Sequence, residues 1–399
     1  MNQFNLRVVS LADRGEGMRF QKEFICPSDY GAGYMAGKLS RLNIYAENLR
    51  DPAVQILKES MLSCGGELST NRDVLIHKCG TSAVLMMATE KQYKALCRRL
   101  KLQQFGLPRL GEELEELLRS LALRGERVIP YDGGELVFGK KTLVMGILNC
   151  TPDSFSDGGL WNDTDRAVNH ALEMEAEGAD LIDIGGESTR PGSDTVSAEE
   201  EMARILPVIK KLRGKLRIPI SVDTYKAETA KAALDAGAQI INDVWGFQYD
   251  LGEMAGVAAK YGCPVILMHN KTEAVYTDFM AEMTAFLRRS IDIAVEAGCD
   301  RDKIIVDPGF GFGKEAEHNL ILTNKLDELG ALGCPILMAA SRKKTVGLVL
   351  DAPADQRLMG DAAVVAVAVA KGADMIRVHD VKEMAQVAKM ADAIVGKGY

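Results

Sequence analysis

The chain has 399 residues, of which 47% are hydrophobic and 26% are charged, and its net charge is −8. This length predicts two domains, or one large α/β domain with an appendage. The acidic balance argues against nucleic acid binding, which depends on basic surface. The longest apolar run, residues 362–370, is too short to cross a bilayer, so no membrane partner is expected.

The cysteines and the N-terminal segment both point to a reducing compartment. The eight cysteines are scattered without a CxxC pair, and no Cys/His cluster has the spacing of a zinc site. Residues 1–17 lack the apolar core of a signal peptide. We therefore expect a soluble, cytoplasmic protein with reduced thiols.

Residues 1–128 are predicted to form a separate α+β domain of unknown role. Asp51 is predicted to cap a helix that ends near residues 65–66, with Pro52 at its first position. Thr89 and Gln92 form a capping box ahead of a second helix. The other predicted elements are strands at 74–76 and 83–87, a helix at 112–123 and a hairpin at 128–139.

From residue 142 onward, apolar strands alternate with amphipathic helices at a period of roughly thirty to forty residues, as in successive βα units. Eight such units predict a (β/α)8 TIM barrel spanning residues 129–399. A doubly wound open sheet is the alternative, but it seldom needs eight regular units. The predicted strands are 143–148, 180–184, 219–222, 239–242, 264–268, 303–306, 335–339 and 374–378.

Every predicted strand is followed at its carboxyl end by polar or ionisable residues, and the carboxyl ends of barrel strands form the active site of barrel enzymes. Unpaired buried charges would each cost several kcal/mol, so a shared site explains this pattern better than stability does. The residues at these ends are Asn149, Asp183, Asp223, Asn242, Asp243, His269, Asn270, Asp307, Ser341, Arg342, Lys343, Arg377 and His379.

The residue types at the strand ends suggest three kinds of contact. Carboxylates, an amide and an ammonium suit the edge of a planar heterocycle, and these are Asp223, Asn242, Asp307 and Lys343. A second group of donors, predicted to be separate, suits phosphates and consists of Thr189, Arg190, Arg377 and His379. Asn149 and Asp183 are hard oxygen ligands that could hold Mg²⁺ together with waters and phosphate oxygens.

Eight segments, in order along residues 142–380, resemble the dihydropteroate synthase family of pterin-binding TIM barrels. They are GILNCTPDSFSDGG (146–159), IDIGGESTRPG (182–192), SVDT (221–224), IND (241–243), LMH (267–269), DPGFGFGK (307–314), SRKKTVG (341–347) and IRVHD (376–380). The resemblance implies condensation of 6-hydroxymethyl-7,8-dihydropterin diphosphate with p-aminobenzoate, with release of pyrophosphate. It also implies a homodimer, because similar enzymes are dimers.

The resemblance assigns roles to individual residues. It implies that the pterin is bound by Asp223, Asn242, Asp307 and Lys343, with Met268 packing on its ring. The diphosphate would be bound by Arg377 and His379, and Mg²⁺ by Asn149. The p-aminobenzoate pocket would be bordered by Thr189, Arg190, Phe312 and Ser341. Catalysis would depend mainly on stabilising the leaving group and positioning the reactants. Asp223, Lys343, Arg377 and His379 would then be the catalytic residues.

One segment departs from the family pattern, and two other functions compete with the synthase. Asn270-Lys271-Thr272-Glu273 stands where similar enzymes often carry Met-x-Gly-x-Pro, so the role of this loop is open. A pterin-binding methyltransferase would not need a diphosphate site, which Arg377 and His379 supply. A pterin-binding protein without turnover would not need Asn149, Arg190, Lys343 and Arg377 together.

Overall fold

A computed structural model describes residues 7, 9, 11, 14–39, 41–123, 125–151, 160–187, 195–250 and 252–397, without the side chains of residues 160–163. The chain divides into two compact units, Met1–Arg119 and Ser120–Tyr399. Among the described residues, no helix is both long enough and apolar enough to span a membrane.

The first unit contains a three-stranded antiparallel sheet whose strands lie in the order β1-β3-β2. Its core consists of buried apolar side chains from the sheet and from the helices that pack on it. The elements are α1 (Arg14–Phe20), a π-helix (Gln21–Ile25), α2 (Asp29–Leu39), β1 (Leu42–Arg50), α3 (Asp51–Ser63), β2 (Glu67–Thr70), a 3₁₀ helix (Arg72–Ile76), β3 (Thr81–Ala88), α4 (Glu90–Leu100) and α5 (Leu107–Ala122).

Three local predictions in this unit have different outcomes. The capping box of Thr89 and Gln92 is confirmed. The assignment of Asp51 as an N-cap is wrong, because Arg50 occupies that position and the Asp51 carboxylate instead accepts the backbone N–H groups of Cys79 and Gly80, each at 3.2 Å.

The predicted strand at 74–76 is also wrong. The Asn71 side chain accepts the N–H of Asp73 and starts a 3₁₀ turn, which is a common use of Asn in turns. Leu75 and Ile76 are 68% and 58% exposed, so their apolar character reflects no buried strand.

The second unit is a closed (β/α)8 barrel, as predicted. Its eight parallel strands follow the order β11-β10-β9-β8-β7-β6-β13-β12, and a parallel bridge between Val306 and Ile336 joins the two ends of this order. The barrel strands are β6 (Leu143–Asn149), β7 (Leu181–Gly185), β8 (Ile220–Asp223), β9 (Ile240–Asp243), β10 (Val265–Met268), β11 (Ile304–Asp307), β12 (Leu337–Met338) and β13 (Met375–Val378).

Helices follow every barrel strand and pack their apolar faces on the outer side of the sheet. The α12 and α13 helices both follow β12. The helices are α6 (Leu160–Glu177), α7 (Ala198–Leu212), α8 (Ala227–Ala236), α9 (Glu253–Tyr261), α10 (Phe279–Glu296), α11 (Ala316–Asn324), α12 (Lys344–Leu350), α13 (Leu358–Ala370) and α14 (Val381–Ile394).

The hairpin before the barrel lies in the second unit, which begins at Ser120, and it packs on the barrel itself. Its strands are β4 (Arg127–Tyr131) and β5 (Gly134–Phe138). Ile129, Leu136 and Phe138 are buried in one cluster with side chains from the barrel interior. The hairpin therefore closes the amino-terminal end of the barrel.

The alternation of side chains along each strand gives the barrel interior two layers. The lower layer, which we call the floor, is apolar and comprises Leu143, Met145, Leu181, Ile240, Ile266, Ile305, Leu337 and Met375. Two residues further along five of these strands come Asp183, Asn242, Met268, Asp307 and Arg377. The carboxyl ends of the strands thus place polar groups directly above an apolar floor.

Candidate active site

A cavity of about 910 Å³ opens at the carboxyl ends of the barrel strands. Seven residues to which the resemblance assigned substrate or metal contacts line it: Asn149, Asp223, Phe312, Ser341, Lys343, Arg377 and His379. Asn242, Met268 and Asp307 are buried at the same ends of their strands, behind the lining residues. Thr189 and Arg190 lie outside the described residues.

Arg377 connects three strands at the base of the cavity. Its Nε donates to Asp183 Oδ2 and its Nη2 to Asp223 Oδ2, both at 2.6 Å. Asn242 Nδ2 donates to the same Asp183 oxygen at 2.9 Å. Burial alone would lower the pKa of Arg377, but Asp183 and Asp223 raise it overall. The heterocycle group and the phosphate group were predicted to be separate, and here Arg377 joins them.

Asp183 orients its neighbours in this arrangement, and its suggested role as a magnesium ligand stays a prediction. Its side chain is completely buried, and its Oδ2 already accepts two hydrogen bonds. It does not line the cavity. A carboxylate held in this way fixes the orientation of Arg377 and Asn242.

Asp223 carries an acceptor suited to a ligand. Its Oδ2 is paired with Arg377, whereas its Oδ1 is buried without a hydrogen-bond partner among the described residues. Burial raises the pKa of Asp223 to about 7, although Arg377 opposes this shift. Asp183 Oδ1 is also unpaired, but of these two carboxylates only Asp223 lines the cavity. Because native proteins rarely leave a buried acceptor unpaired, a donor supplied by a ligand would explain the Asp223 oxygen.

Lys343 and Asp307 form the opposite side of the site. Lys343 donates to the carbonyl of Phe310, and its Nζ lies 4.5 Å from the centroid of the Phe312 ring. Burial lowers the pKa of Lys343 to about 7, while Asp307 opposes the shift. Burial raises the pKa of Asp307, and its Oδ1 accepts the Gly309 N–H at 2.7 Å.

Ser341 and His379 bring the last two strands together at the rim. The Ser341 Oγ lies 3.2 Å from the backbone N of His379 and 3.0 Å from its Nδ1. Between Ser341 and Lys343, Arg342 adopts a left-handed backbone with φ of +56°. Its N–H donates to Asp361 at 2.8 Å, and this contact holds the turn that presents Ser341 and Lys343 on the same side.

Asn149 could contribute to a site for Mg²⁺ only together with other ligands. Among the described residues, no group of three or more His, Cys, Asp or Glu side chains could hold a metal ion. Asn149 lines the cavity at the end of β6. Because Mg²⁺ commonly takes one or two protein oxygens and completes its shell with phosphates and waters, this arrangement suits an ion that arrives with a diphosphate.

Sequence reasoning missed a buried ionic cluster beside the cavity. Lys226 pairs with Glu187 and, at 3.0 Å, with Glu201, and Glu201 also accepts the hydroxyls of Thr224 and Thr229. Burial raises the pKa of Glu201, although Lys226 opposes the shift. Only Glu187 of this cluster lines the cavity. The three acidic residues at the start of α7 resemble an ordinary helix start, so no sequence signal identified Glu201.

Asp243 follows Asn242 but has a different role. Its two oxygens accept the N–H groups of Trp245 and Phe247, each at 2.8 Å. Phe247 and Gly246 both have positive φ, so Asp243 stabilises a tight turn. Burial raises the pKa of this carboxyl to about 7.

Comparison with known proteins gives a consistent assignment. Residues 145–379 match the family model described as pterin binding enzyme. Dihydropteroate synthase of Bacillus subtilis is 52% identical over 272 residues, which cover 68% of this chain and 95% of that protein. The crystal structure of the Xanthomonas albilineans dihydropteroate synthase with 4-aminobenzoic acid matches with a TM-score of 0.65 at 41% identity and covers 68% of this chain and 98% of that one.

A further relative bears on the first unit. The probable bifunctional folylpolyglutamate synthase/dihydropteroate synthase of Halobacterium salinarum is 43% identical over 347 residues, covering 85% of this chain and 41% of that protein. Because 85% is a larger share than residues 120–399 can supply, the match includes part of the first unit.

The family match spans the strands that carry Asp223, Lys343 and Arg377. The Bacillus subtilis and Xanthomonas albilineans synthases match along nearly their whole length. This chain belongs to the dihydropteroate synthase family of pterin binding enzymes, and its reaction is the condensation of 6-hydroxymethyl-7,8-dihydropterin diphosphate with p-aminobenzoate to give 7,8-dihydropteroate and pyrophosphate.

Proposed function

We propose that the cavity binds the pterin ring at its base and p-aminobenzoate toward its mouth. The observation that carries this assignment is the buried, unpaired Oδ1 of Asp223, which would accept N–H groups of the pterin. Asp307 and Lys343 would contact other positions on the ring edge, and Asn242 is held in place by Asp183. Met268, buried at the end of β10, would pack against the ring face.

The leaving diphosphate would be bound by Arg377 and His379. In the condensation, the bond between the pterin CH₂ and the diphosphate oxygen breaks, and its electron pair leaves with the diphosphate. The aniline nitrogen then forms the new C–N bond and loses a proton. The work of the protein is therefore to stabilise departing negative charge and to position the nucleophile. No residue need act as a base, because the aniline nitrogen is already nucleophilic.

We propose that Mg²⁺ accompanies the diphosphate and is contacted by Asn149. When bound, the ion supplies positive charge to the phosphate oxygens. Arg377 is already paired with two carboxylates, so it does not neutralise a diphosphate unaided. A chelator should therefore reduce turnover, and added Mg²⁺ should restore it. Full activity at saturating chelator would contradict this part of the proposal.

The p-aminobenzoate would lie between Phe312 and Ser341, both of which line the cavity. Thr189 and Arg190 are proposed to complete this pocket on the basis of their sequence positions. This placement is supported by a related enzyme that was crystallised with 4-aminobenzoic acid.

We also propose that the protein is a homodimer and is located in the cytoplasm. Its molecular mass in solution tests the first of these proposals.

Calorimetric titration of Asp223→Asn with the pterin diphosphate tests the central assignment. The exchange preserves shape but removes a charged acceptor, for which a loss of about 1.5–3 kcal/mol per bond is expected. Asp235→Asn is a suitable control, because Asp235 is exposed and only accepts from the Tyr261 hydroxyl. Wild-type affinity in a folded Asp223→Asn protein would refute the role of this carboxylate.

A pyrophosphate-release assay with both substrates distinguishes the synthase from the two competing functions. The synthase releases pyrophosphate only when the pterin diphosphate and p-aminobenzoate are both present. A methyltransferase or a pterin-binding protein without turnover would release none.

A further inference from the structure

The loops after β10 and β11 are joined by a half-buried lysine that the reaction scheme above does not use. Lys314 Nζ lies 2.7 Å from His269 Nδ1 and donates to the carbonyl of Phe312 at 3.0 Å. We call these three groups, the His269 ring, the Lys314 ammonium and the Phe312 carbonyl, the lysine clamp. Lys314 and Phe312 both line the cavity.

The His269 end of the clamp is fixed. The ring is only 2% exposed and packs edge-on against Phe286, with centroids 4.8 Å apart. Burial, with a further contribution from Lys314, lowers the pKa of His269 to about 2. The imidazole is therefore neutral. Burial lowers the pKa of Lys314 to about 7. In its ammonium form Lys314 can only donate, so Nδ1 is then the acceptor and the ring proton lies on Nε2.

The loop held by the clamp has little stiffness of its own. Gly309, Gly311 and Gly313 all have positive φ, which glycine adopts with almost no steric cost. The loop is instead fixed from outside, because the Tyr276 hydroxyl donates to the Gly313 carbonyl at 2.6 Å. A Cβ on Gly313 would lie 2.2 Å from the Lys271 carbonyl oxygen, so the two loops are in close contact.

This packing gives a role to the segment that departs from the family pattern. Lys271 Nζ donates to the Val275 carbonyl at 2.6 Å and to Glu282 at 3.1 Å. These contacts fold the β10 loop so that Tyr276 reaches Gly313. The Asn270–Glu273 segment is therefore part of the support for the β11 loop.

We propose that Lys314 is a positioning residue for p-aminobenzoate: it holds the β11 loop on His269 and so fixes the Phe312 ring beside Lys343. The inference rests on the proposed placement of p-aminobenzoate next to Phe312. Lys314 acts through the loop, so its loss should weaken binding of the second substrate more than binding of the pterin, whose contacts are on the strands themselves.

The test is steady-state kinetics and pterin titration of Lys314→Met, which keeps the aliphatic chain and removes the donor. We expect the KM for p-aminobenzoate to rise at least about tenfold, as for loss of a charged hydrogen bond, and the pterin Kd to change less than about twofold. Lys325→Met is the matched control, because Lys325 is an exposed lysine of the same βα unit. Its KM should equal that of the wild type.

An unchanged KM for p-aminobenzoate in Lys314→Met would overturn the proposal, and so would an equal loss of pterin affinity in the folded protein. Phe312→Leu separates this failure from that of the pocket assignment. If Phe312→Leu leaves the KM for p-aminobenzoate unchanged, the placement of that substrate is wrong.

Variants of His269 keep the proposal testable if Lys314→Met does not fold. His269→Gln retains an acceptor for Lys314, whereas His269→Leu removes it. The proposal predicts a near-normal KM for the first and a raised KM for the second, and the same KM for both would refute it.

Discussion

Arg377 and Asp183 are 194 positions apart in sequence, yet the guanidinium Nε lies 2.6 Å from the carboxylate. The strands that carry them, β13 and β7, are separated by one strand, β6. The contact therefore crosses the barrel interior above the floor. It orients the same arginine toward Asp223. The geometry of the proposed pterin site therefore depends on Asp183, which does not itself line the cavity.

Replacing Arg377 with Met should destabilise the protein as well as inactivate it. Two largely buried carboxylates would lose their counter-charge, and breaking a buried pair typically costs about 3–5 kcal/mol. Urea unfolding measures the loss. The double variant Arg377→Met with Asp183→Asn should recover part of it, because one uncompensated charge is removed. Wild-type stability of Arg377→Met would show that the ion pairs contribute little.

The dependence of kcat/KM on pH for the pterin diphosphate should be bell-shaped with its maximum near neutrality. Asp223 accepts N–H groups only as a carboxylate, so activity falls as pH drops below its pKa of about 7. Lys343 donates as an ammonium, so activity falls as pH rises above its pKa of about 7. The two apparent values belong to coupled groups.

The alkaline limb of that profile can be assigned with Lys343→Arg. Arginine stays protonated across the range from about pH 5.5 to about 9, so the alkaline limb should move upward or disappear, whatever the absolute rate. Persistence of the same limb in the variant would mean that another group titrates there.

Gly309→Ala should damage the site far more than Gly214→Ala. Both glycines have φ near +70°, at +69° and +76°, so both variants carry a similar backbone strain of about 1–2 kcal/mol. A Cβ on Gly309 would lie 1.9 Å from the His269 carbonyl oxygen, whereas nothing lies within 4 Å of one on Gly214. Thermal melting and pterin titration compare the two variants, and equal losses would contradict this account.

The β4–β5 hairpin should be required for stability of the barrel, whereas residues 1–119 should not. A chain that begins at Ser120 is expected to fold and to keep synthase activity. A chain that begins at Lys140 loses Ile129, Leu136 and Phe138, and each large buried side chain contributes about 1.5–3 kcal/mol. Circular dichroism and turnover of both chains measure this difference.

A point substitution tests the hairpin without truncation. Phe138→Ala should cost about 3–5 kcal/mol, while Val137→Ala on the other face of the same strand should cost much less. Similar losses of stability in both variants would mean that the hairpin does not close the amino-terminal end of the barrel.

The barrel and most of its site could be predicted because they depend on local pattern. Each barrel strand is a short apolar run with polar residues at or just beyond its carboxyl end, and the observed strands match the predicted ones to within one or two residues. Asp223, Lys343 and Arg377 were identified because they occupy those ends. The fold then brings them together at one cavity.

Contacts between distant segments could not be predicted. The pairing of Arg377 with Asp183 depends on the order of strands around the barrel, and the lysine clamp depends on two loops that no periodicity relates. The predicted strand at 74–76 was wrong for a local reason. Three apolar residues are a weak indication of a strand, and the preference of Asn71 for turns outweighed it.

Floor residues and site residues lie two positions apart on the same strands, so a change in strand length affects both. In β11, Ile305 belongs to the floor and Asp307 to the site, with Val306 facing the outer helices between them. Inserting or deleting a single residue in such a strand would exchange inward and outward faces, so it would remove a carboxylate of the proposed pterin site and an apolar floor residue together. Substitutions at the upper positions can alter substrate contacts while leaving the floor intact. Variation in this barrel should therefore accumulate through substitutions within strands, with changes of length confined to the loops.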